Sequence, residues 1–178
     1  MPKNLICPEL NWKGLNRNEI VKKAPEWDLG IICGVPAWVQ ILIEKILDHY
    51  GLSSIYHMWP NLRIYIHGGV NFDPYMPKFN DLFNSQVIYL DTYLCSEGFF
   101  AFQSVDSNRL SLLTNSIFYC EFIPFDSYHF TADGELIKED VLTVNEVEEG
   151  VDYALIVTTC AGAWRYNIGD TIQFVNKE

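Results

Sequence analysis

Val39, Leu42, Ile43, Ile46, Leu47 and Tyr50 recur at the spacing of one helix face, with Gln40, Glu44, Lys45, Asp48 and His49 on the other. Pro36 stands where a first-turn proline fits and Gly51 where a left-handed cap fits, so the pattern predicts a helix that covers a sheet. Upstream, residues 1–15 show no clear period and read as loop. Asn16 followed by Glu19 then gives a helix-start signal, which Pro25 cuts short. Residues 27–35 (WDLGIICGV) read as a short apolar strand broken by glycines, and 75–83 as a short helix with Pro77 near its start.

Strand patterns dominate the rest of the chain. In 61–70 (NLRIYIHGGV) Leu62, Ile64 and Ile66 alternate with Arg63, Tyr65 and His67, the period of a half-buried strand that ends in Gly68 and Gly69. Paired glycines there serve either an ordinary turn or a close approach of backbone to ligand, and His67 beside them reads most simply as a hydrogen-bonded strand residue. Residues 116–125 read as a strand that, by Pro124, lies at an edge or ends there, followed by a loop over 126–134 that closes on Asp133-Gly134. Glu146, Glu148 and Glu149 read as a solvated rim. Residues 153–159 (YALIVTT) are a strand, and 171–175 the last one. Helices in the first half and strands in the second predict an α/β chain with a mixed, α+β type of sheet. Without an internal repeat or linker, 1–178 reads as a single domain.

The stretch 87–103 (VIYLDTYLCSEGFFAFQ) stands out because two apolar runs, Val87 to Leu90 and Phe99 to Phe102, flank a polar insert over 91–98. A carboxylate at a strand end, with hydroxyls beside it and a glycine behind it, can face a cation or a phosphate without losing its position. The simpler reading is a hairpin corner in which Glu97 is solvated and Gly98 supplies a positive φ. A second polar cluster, 164–170 (WRYNIGD), sits before the last strand.

Composition narrows the chemistry. A 49% hydrophobic, 15% aromatic chain of 178 residues has ample material for a core. A net charge of −11 argues against a nucleic-acid surface, which needs clustered Lys and Arg. An acidic chain still binds ATP when magnesium and backbone amides supply the positive field locally. The five cysteines, Cys7, Cys33, Cys95, Cys120 and Cys160, are scattered and never form a C-x-x-C pair. They read as reduced thiols, neither a disulfide frame nor a zinc site. Without a run of about 18 apolar residues or a basic-then-apolar N-terminus, the sequence predicts a soluble, cytoplasmic chain with no membrane partner.

Taken together, the two polar clusters resemble motifs of the Gretchen Hagen family of acyl acid amido synthetases. Tyr93-Leu94-Cys95-Ser96-Glu97 is similar to that family's Tyr-x-x-Ser-Glu motif, and Arg165 to Asp170 is similar to its Arg-Tyr-x-x-Gly-Asp motif. Trp59-Pro60-Asn61-Leu62, His67-Gly68-Gly69-Val70, Glu97-Gly98-Phe99-Phe100 and Glu149-Gly150-Val151-Asp152-Tyr153 follow in the family's order. The likeness runs from about residue 25 to the end, spans only a middle portion of the family's length, and is nearer to bacterial members than to plant hormone enzymes.

The resemblance implies an adenylating enzyme in which ATP activates a carboxylic acid that an amine or amino acid then attacks. It implies that Glu97 is catalytic and holds magnesium, that Tyr93 packs on adenine, and that Ser96 bonds to a phosphate or the base. Asp170 would accept the ribose hydroxyls, and Gly68 and Gly69 would admit the adenine edge. Arg165 would be structural or would neutralise phosphate. The family's Ser/Thr/Gly phosphate loop and lysine-bearing lid are not found in these residues, so the chain is expected to be an incomplete part of a larger adenylating domain. A truncated relative acting as a non-catalytic binding or assembly module is the alternative. A glycosidase pairing Glu97 with Glu121 is a third reading, in which the Gly169-Asp170 element has no role.

Overall fold

The structure, a computed structural model, describes residues 17–84, 87–114 and 117–176. The N-terminal stretch 1–15, Asn16, Cys7 and Ser116 lie outside the described residues. The chain gathers into two compact units. Of the described residues, the first takes in 17–84, 87–95 and 99–112, the second 96–98, 113–114 and 117–176. The division follows the strands, which form two separate sheets, each with its own buried cluster.

In the first unit, helix α1 (Arg17–Lys23) runs into a single 3-10 turn at Ala24–Glu26 that holds Pro25, as the early stop requires. Strand β1 (Ile31–Cys33) is the only part of 27–35 that enters the sheet. Helix α2 (Pro36–Tyr50) begins at its proline and ends at Gly51 with φ 64°, a left-handed cap. Strand β2 (Ile64–Gly68) and helix α3 (Met76–Phe83) follow. The sheet is completed by β3 (Ile88–Leu94), β4 (Phe99–Gln103) and β5 (Leu110–Leu112), in the order β1-β2-β3-β4-β5. The β1–β2 and β2–β3 pairs are parallel and the β3–β4 and β4–β5 pairs antiparallel, so the sheet is mixed as expected.

The burial of β2 corrects the sequence reading. Tyr65 and His67 are buried, while Ile64 and Ile66 are only half-buried. Tyr65 sits in a cluster with Phe79 at 4.9 Å, Phe72 at 5.7 Å and Phe83 at 6.1 Å between ring centres, together with Ile43 and Ile46 of α2. An aromatic face under two helices outcompetes the aliphatic face opposite, because each ring buries more area than an isoleucine and gains from tilted ring contacts. Trp59 closes this core, its indole N–H donating to Ala24 O at 3.0 Å. Ser54 donates to the α3 carbonyls of Leu82 and Phe83, and so satisfies groups that a helix end leaves bare.

The second unit is an antiparallel sheet of β6 (Phe118–Pro124), β7 (Asp152–Thr159) and β8 (Tyr166–Gln173). Pro124 does lie on an edge strand, and β7 in the middle is buried continuously from Tyr153 to Val157. Its two faces pack different groups, Ala154 and Ile156 with Ile123 and Phe130 on one and Tyr153 with Phe122 and Phe174 on the other. The last strand starts earlier than the sequence predicts, so most of 164–170 belongs to β8 instead of preceding it. Likewise β3 runs through Asp91, Thr92, Tyr93 and Leu94, which shortens the supposed polar insert to a turn over 95–98.

Candidate active-site corners

The carboxyl end of β2 meets β3 through a close backbone approach. Gly68 stands opposite Thr92, and a Cβ on Gly68 would lie 2.4 Å from Thr92 O and 2.6 Å from Thr92 Oγ1. Only glycine admits that approach. Thr92 Oγ1 donates to His67 O at 2.7 Å, and Asp91 Oδ1 accepts from Thr92 N at 2.8 Å. From β4, Gln103 accepts from Asp91 N at 3.0 Å and donates to Ser107 O at 2.7 Å, which ties the strand on its other side. Gly69, with φ 80°, then turns the chain away. The register thus brings Gly68 and Gly69 beside Thr92 and Tyr93, at the strand ends where ligands of open α/β sheets bind.

Tyr93 is half-buried, its ring 5.4 Å from that of Phe100. Between the Tyr93–Ala101 and Leu94–Phe99 pairs the register slips, leaving Phe100 as an extra residue on β4. Such a bulge increases local twist and re-aims neighbouring side chains just before the turn that carries Ser96 and Glu97. Ser96 is exposed and Glu97 half-buried.

The second corner is also a bulge. Ala154 pairs with Thr171 and Ile156 with Asn167, so two steps along β7 face four along β8 and the surplus falls at 168–170. Gly169 has φ 89°, and its N–H donates to Asn167 Oδ1 at 2.9 Å. Asp170 leaves this bulge exposed. Arg165, itself at φ 45°, places Nε 3.2 Å from Glu121 Oε2 and Nη1 3.8 Å from Glu139 Oε2. Those pairs favour the structural role for Arg165. They also commit Glu121, one half of the glycosidase reading, to an ion pair.

The sequence reading missed the pairing of His67 with Asp91, whose Nδ1 and Oδ1 lie 3.3 Å apart. No signal within either strand gives it, because it follows from the β2–β3 register. Burial pushes the Tyr89 hydroxyl up to about 12, and that group donates to Asn80 Oδ1 at 2.8 Å. Tyr65, also raised by burial, donates to Gly34 O at 2.9 Å. Both are therefore neutral scaffolding beside the first corner. Among the described residues Cys33, Cys95, Cys120 and Cys160 form no disulfide, and burial raises the Cys120 thiol away from reactivity. A hollow of about 560 Å³ lined by Phe125, Asp126, Phe130 and Asp133 contains none of the predicted site residues.

Two family models match this chain: the GH3 family N-terminal domain over residues 22–88 and the GH3 family central domain over residues 111–177. The chain belongs to the GH3 family. Among its GH3 relatives is a jasmonoyl–L-amino acid synthetase, GH3.5, of Oryza sativa subsp. japonica, 27% identical over 69% of this chain and 24% of its own length. Another is a probable indole-3-acetic acid-amido synthetase, GH3.11, of the same organism, 30% identical over 65% of this chain and 21% of its own. The chain therefore spans between about a fifth and a quarter of the length of such GH3 proteins.

In fold it is similar to the GH3.15 acyl acid amido synthetase, with a TM-score of 0.64 at 14% identity, covering 88% of this chain and 36% of that one. An open 2-hydroxyisobutyryl-CoA ligase in complex with 2-HIB-AMP and CoA gives 0.51 at 13% identity, over 80% of this chain and 28% of that one. The mixed α/β fold is thus that of adenylate-forming enzymes. No helix among the described residues is long and apolar enough to cross a membrane.

Proposed function

We propose that this GH3 chain is part of an ATP-dependent amido synthetase that adenylates a carboxylic acid and passes the acyl group to an amine or amino acid. The observation that carries the reading is the pairing of each family motif with a strand bulge. Tyr93 to Glu97 spans the β3–β4 register slip and Asp170 stands in the β8 bulge, so both motifs lie at backbone irregularities of the kind that re-aim side chains. In the proposed reaction a carboxylate oxygen bonds to the α-phosphorus as its bond to the pyrophosphate oxygen breaks. The amine nitrogen then displaces AMP from the acyl carbon.

Positioning and charge stabilisation account for most of such catalysis. Gly68 and Gly69 leave backbone open to the adenine edge, Tyr93 offers a ring for it to pack on, and Ser96 offers a hydroxyl to a phosphate or the base. Asp170 is a carboxylate suited to accepting both ribose hydroxyls. Among the described residues no group of three His, Cys, Asp or Glu side chains gathers for a metal. Magnesium is commonly held by one or two carboxylates together with substrate phosphates and water. Glu97 is the carboxylate assigned that role by its motif, and a bound ion would neutralise phosphate charge.

Titration calorimetry of the chain with ATP and magnesium tests the proposal. Saturable binding is expected, weakened about tenfold or more in Asp170→Ala and made insensitive to magnesium in Glu97→Ala. Absence of binding, or binding unchanged in both variants, overturns it. Self-association without nucleotide binding would instead support a non-catalytic assembly module.

A further inference from the structure

His67 presents a polar group that packing alone does not explain. Its side chain is buried, its ring lies on Phe72 with centroids 4.0 Å apart and planes 20° apart, and Nδ1 has no hydrogen-bond partner. Asp91 Oδ1 is the acceptor at hand, 3.3 Å from that nitrogen yet outside hydrogen-bond alignment. A phenyl ring would fill the same space and stack as well. What needs a reason is the nitrogen, because a buried donor left unpaired carries a desolvation cost that native proteins rarely leave without use.

The surroundings supply that reason. His67 immediately precedes Gly68, and its own carbonyl accepts from Thr92 Oγ1. Asp91 immediately precedes Thr92 and already accepts from the Thr92 amide. A backbone movement that aligns His67 Nδ1–H with Asp91 Oδ1 therefore also shifts the two strand ends that carry Gly68, Gly69 and Tyr93. The Asp91 side chain is 36% exposed, so it has room to make that adjustment, whereas the buried His67 does not.

We propose that His67 and Asp91 act as a positioning pair for nucleotide binding: donation from His67 Nδ1–H to Asp91 Oδ1 sets the ends of β2 and β3 for the adenine. This rests on the assignment of Gly68, Gly69 and Tyr93 to the nucleotide. His67 touches no reacting atom in this scheme. It acts through backbone, by deciding how the glycine pair lies against Thr92.

Calorimetric binding of AMP to the whole chain, alongside thermal melting, tests the pair. His67→Phe keeps the stack and the volume, so the melting temperature stays within a few degrees of the parent while AMP binding weakens about tenfold. His67→Asn, whose amide nitrogen falls near the position of Nδ1, restores binding to within about threefold. Asp91→Ala weakens AMP at least as much, since it also removes the acceptor of the Thr92 amide, and the double variant is no weaker than Asp91→Ala alone, because the His67 contact is already gone there. Parental affinity in His67→Phe, or losses that multiply in the double variant, overturns the proposal. Should His67→Phe fail to fold, Asp91→Ala decides alone: unchanged AMP affinity there overturns it. If the unaltered chain binds no AMP, the nucleotide reading falls and this pair with it. If AMP binding is lost in Asp170→Ala but kept in His67→Phe, only the pair falls.

Discussion

At Gly68 a methyl group would lie 2.4 Å from the Thr92 carbonyl oxygen, whereas at Gly169 nothing would come within 4 Å of it but φ stands at 89°. The first glycine is required by its neighbour and the second by its own backbone. A parallel strand pair can let two backbones approach only if one of them gives up its side chain. An antiparallel bulge with two surplus residues must instead fold its excess length somewhere, and a positive φ does so locally. The two corners thus present motif residues by different means, one by close packing and the other by a local kink.

Substitution separates the two mechanisms. Gly68→Ala meets backbone, which cannot swing aside like a side-chain tip, so the β2–β3 pairing must part at that end. A loss of about 1–3 kcal/mol is expected from urea unfolding, as for other overpacked sites. AMP affinity should fall with it, and a Gly68→Ala chain of parental stability would show that the close approach is not maintained in solution. Thr92→Gly in the same chain should recover little, because the carbonyl oxygen and not only Oγ1 is in the way.

At Gly169 the expected loss is smaller, about 1–2 kcal/mol for Ala, the cost of a left-handed conformation to a residue with a Cβ. Gly169→Asn should cost less than Gly169→Ala, since Asn tolerates that region better. Equal losses for Asn and Ala would mean that space, not conformation, governs this corner too. The same unfolding curves decide the matter.

These differences also mark what could be read from residues alone. Helix α2 was legible from Pro36 to Gly51 because every cue for it is local: the period, the first-turn proline and the capping glycine. Most strands were located for the same reason, although β5 was not marked and β8 starts earlier than expected, and Pro124 both ends β6 and lies on an edge strand. The buried face of β2 was not, because Ile64, Tyr65, Ile66 and His67 are all plausible core residues. The helix carrying Phe79 and Phe83 decides between the two faces, and that pairing is non-local. Both bulges escaped notice too. A bulge is a mismatch between partner strands, and neither Phe100 nor Gly169 declares within its own strand how many residues the partner sets opposite it. Of the candidate site, the motif residues were recognisable by resemblance, while the His67–Asp91 pair needed the β2–β3 register, which sets the two residues opposite each other.

A gentler contrast between the units lies in acid. In the second unit Asp126 Oδ1 accepts from His129 Nδ1 at 2.7 Å, and from the backbone N–H groups of Tyr128 and His129 at 2.9 and 3.0 Å. The side-chain bond from His129 is the largest of the influences that hold the Asp126 carboxyl below its ordinary value of 3.8, and the backbone donors add to it. A carboxylate depressed in the folded state stabilises the fold above its unfolded value, and that contribution is lost as pH falls through the depressed one. The loop over 126–134 should therefore loosen at the acid end of the range and be unaffected near neutrality. Asp126 is exposed, so the effect is small and screened by salt. In Asp126→Asn the urea midpoint should fall less between about pH 6 and about pH 3 than it does in the parent chain, because one proton-linked contact has been removed. An identical acid slope in the two chains would assign the acid sensitivity to other carboxylates, with Glu146, lowered by the Thr143 backbone N–H, the next to replace.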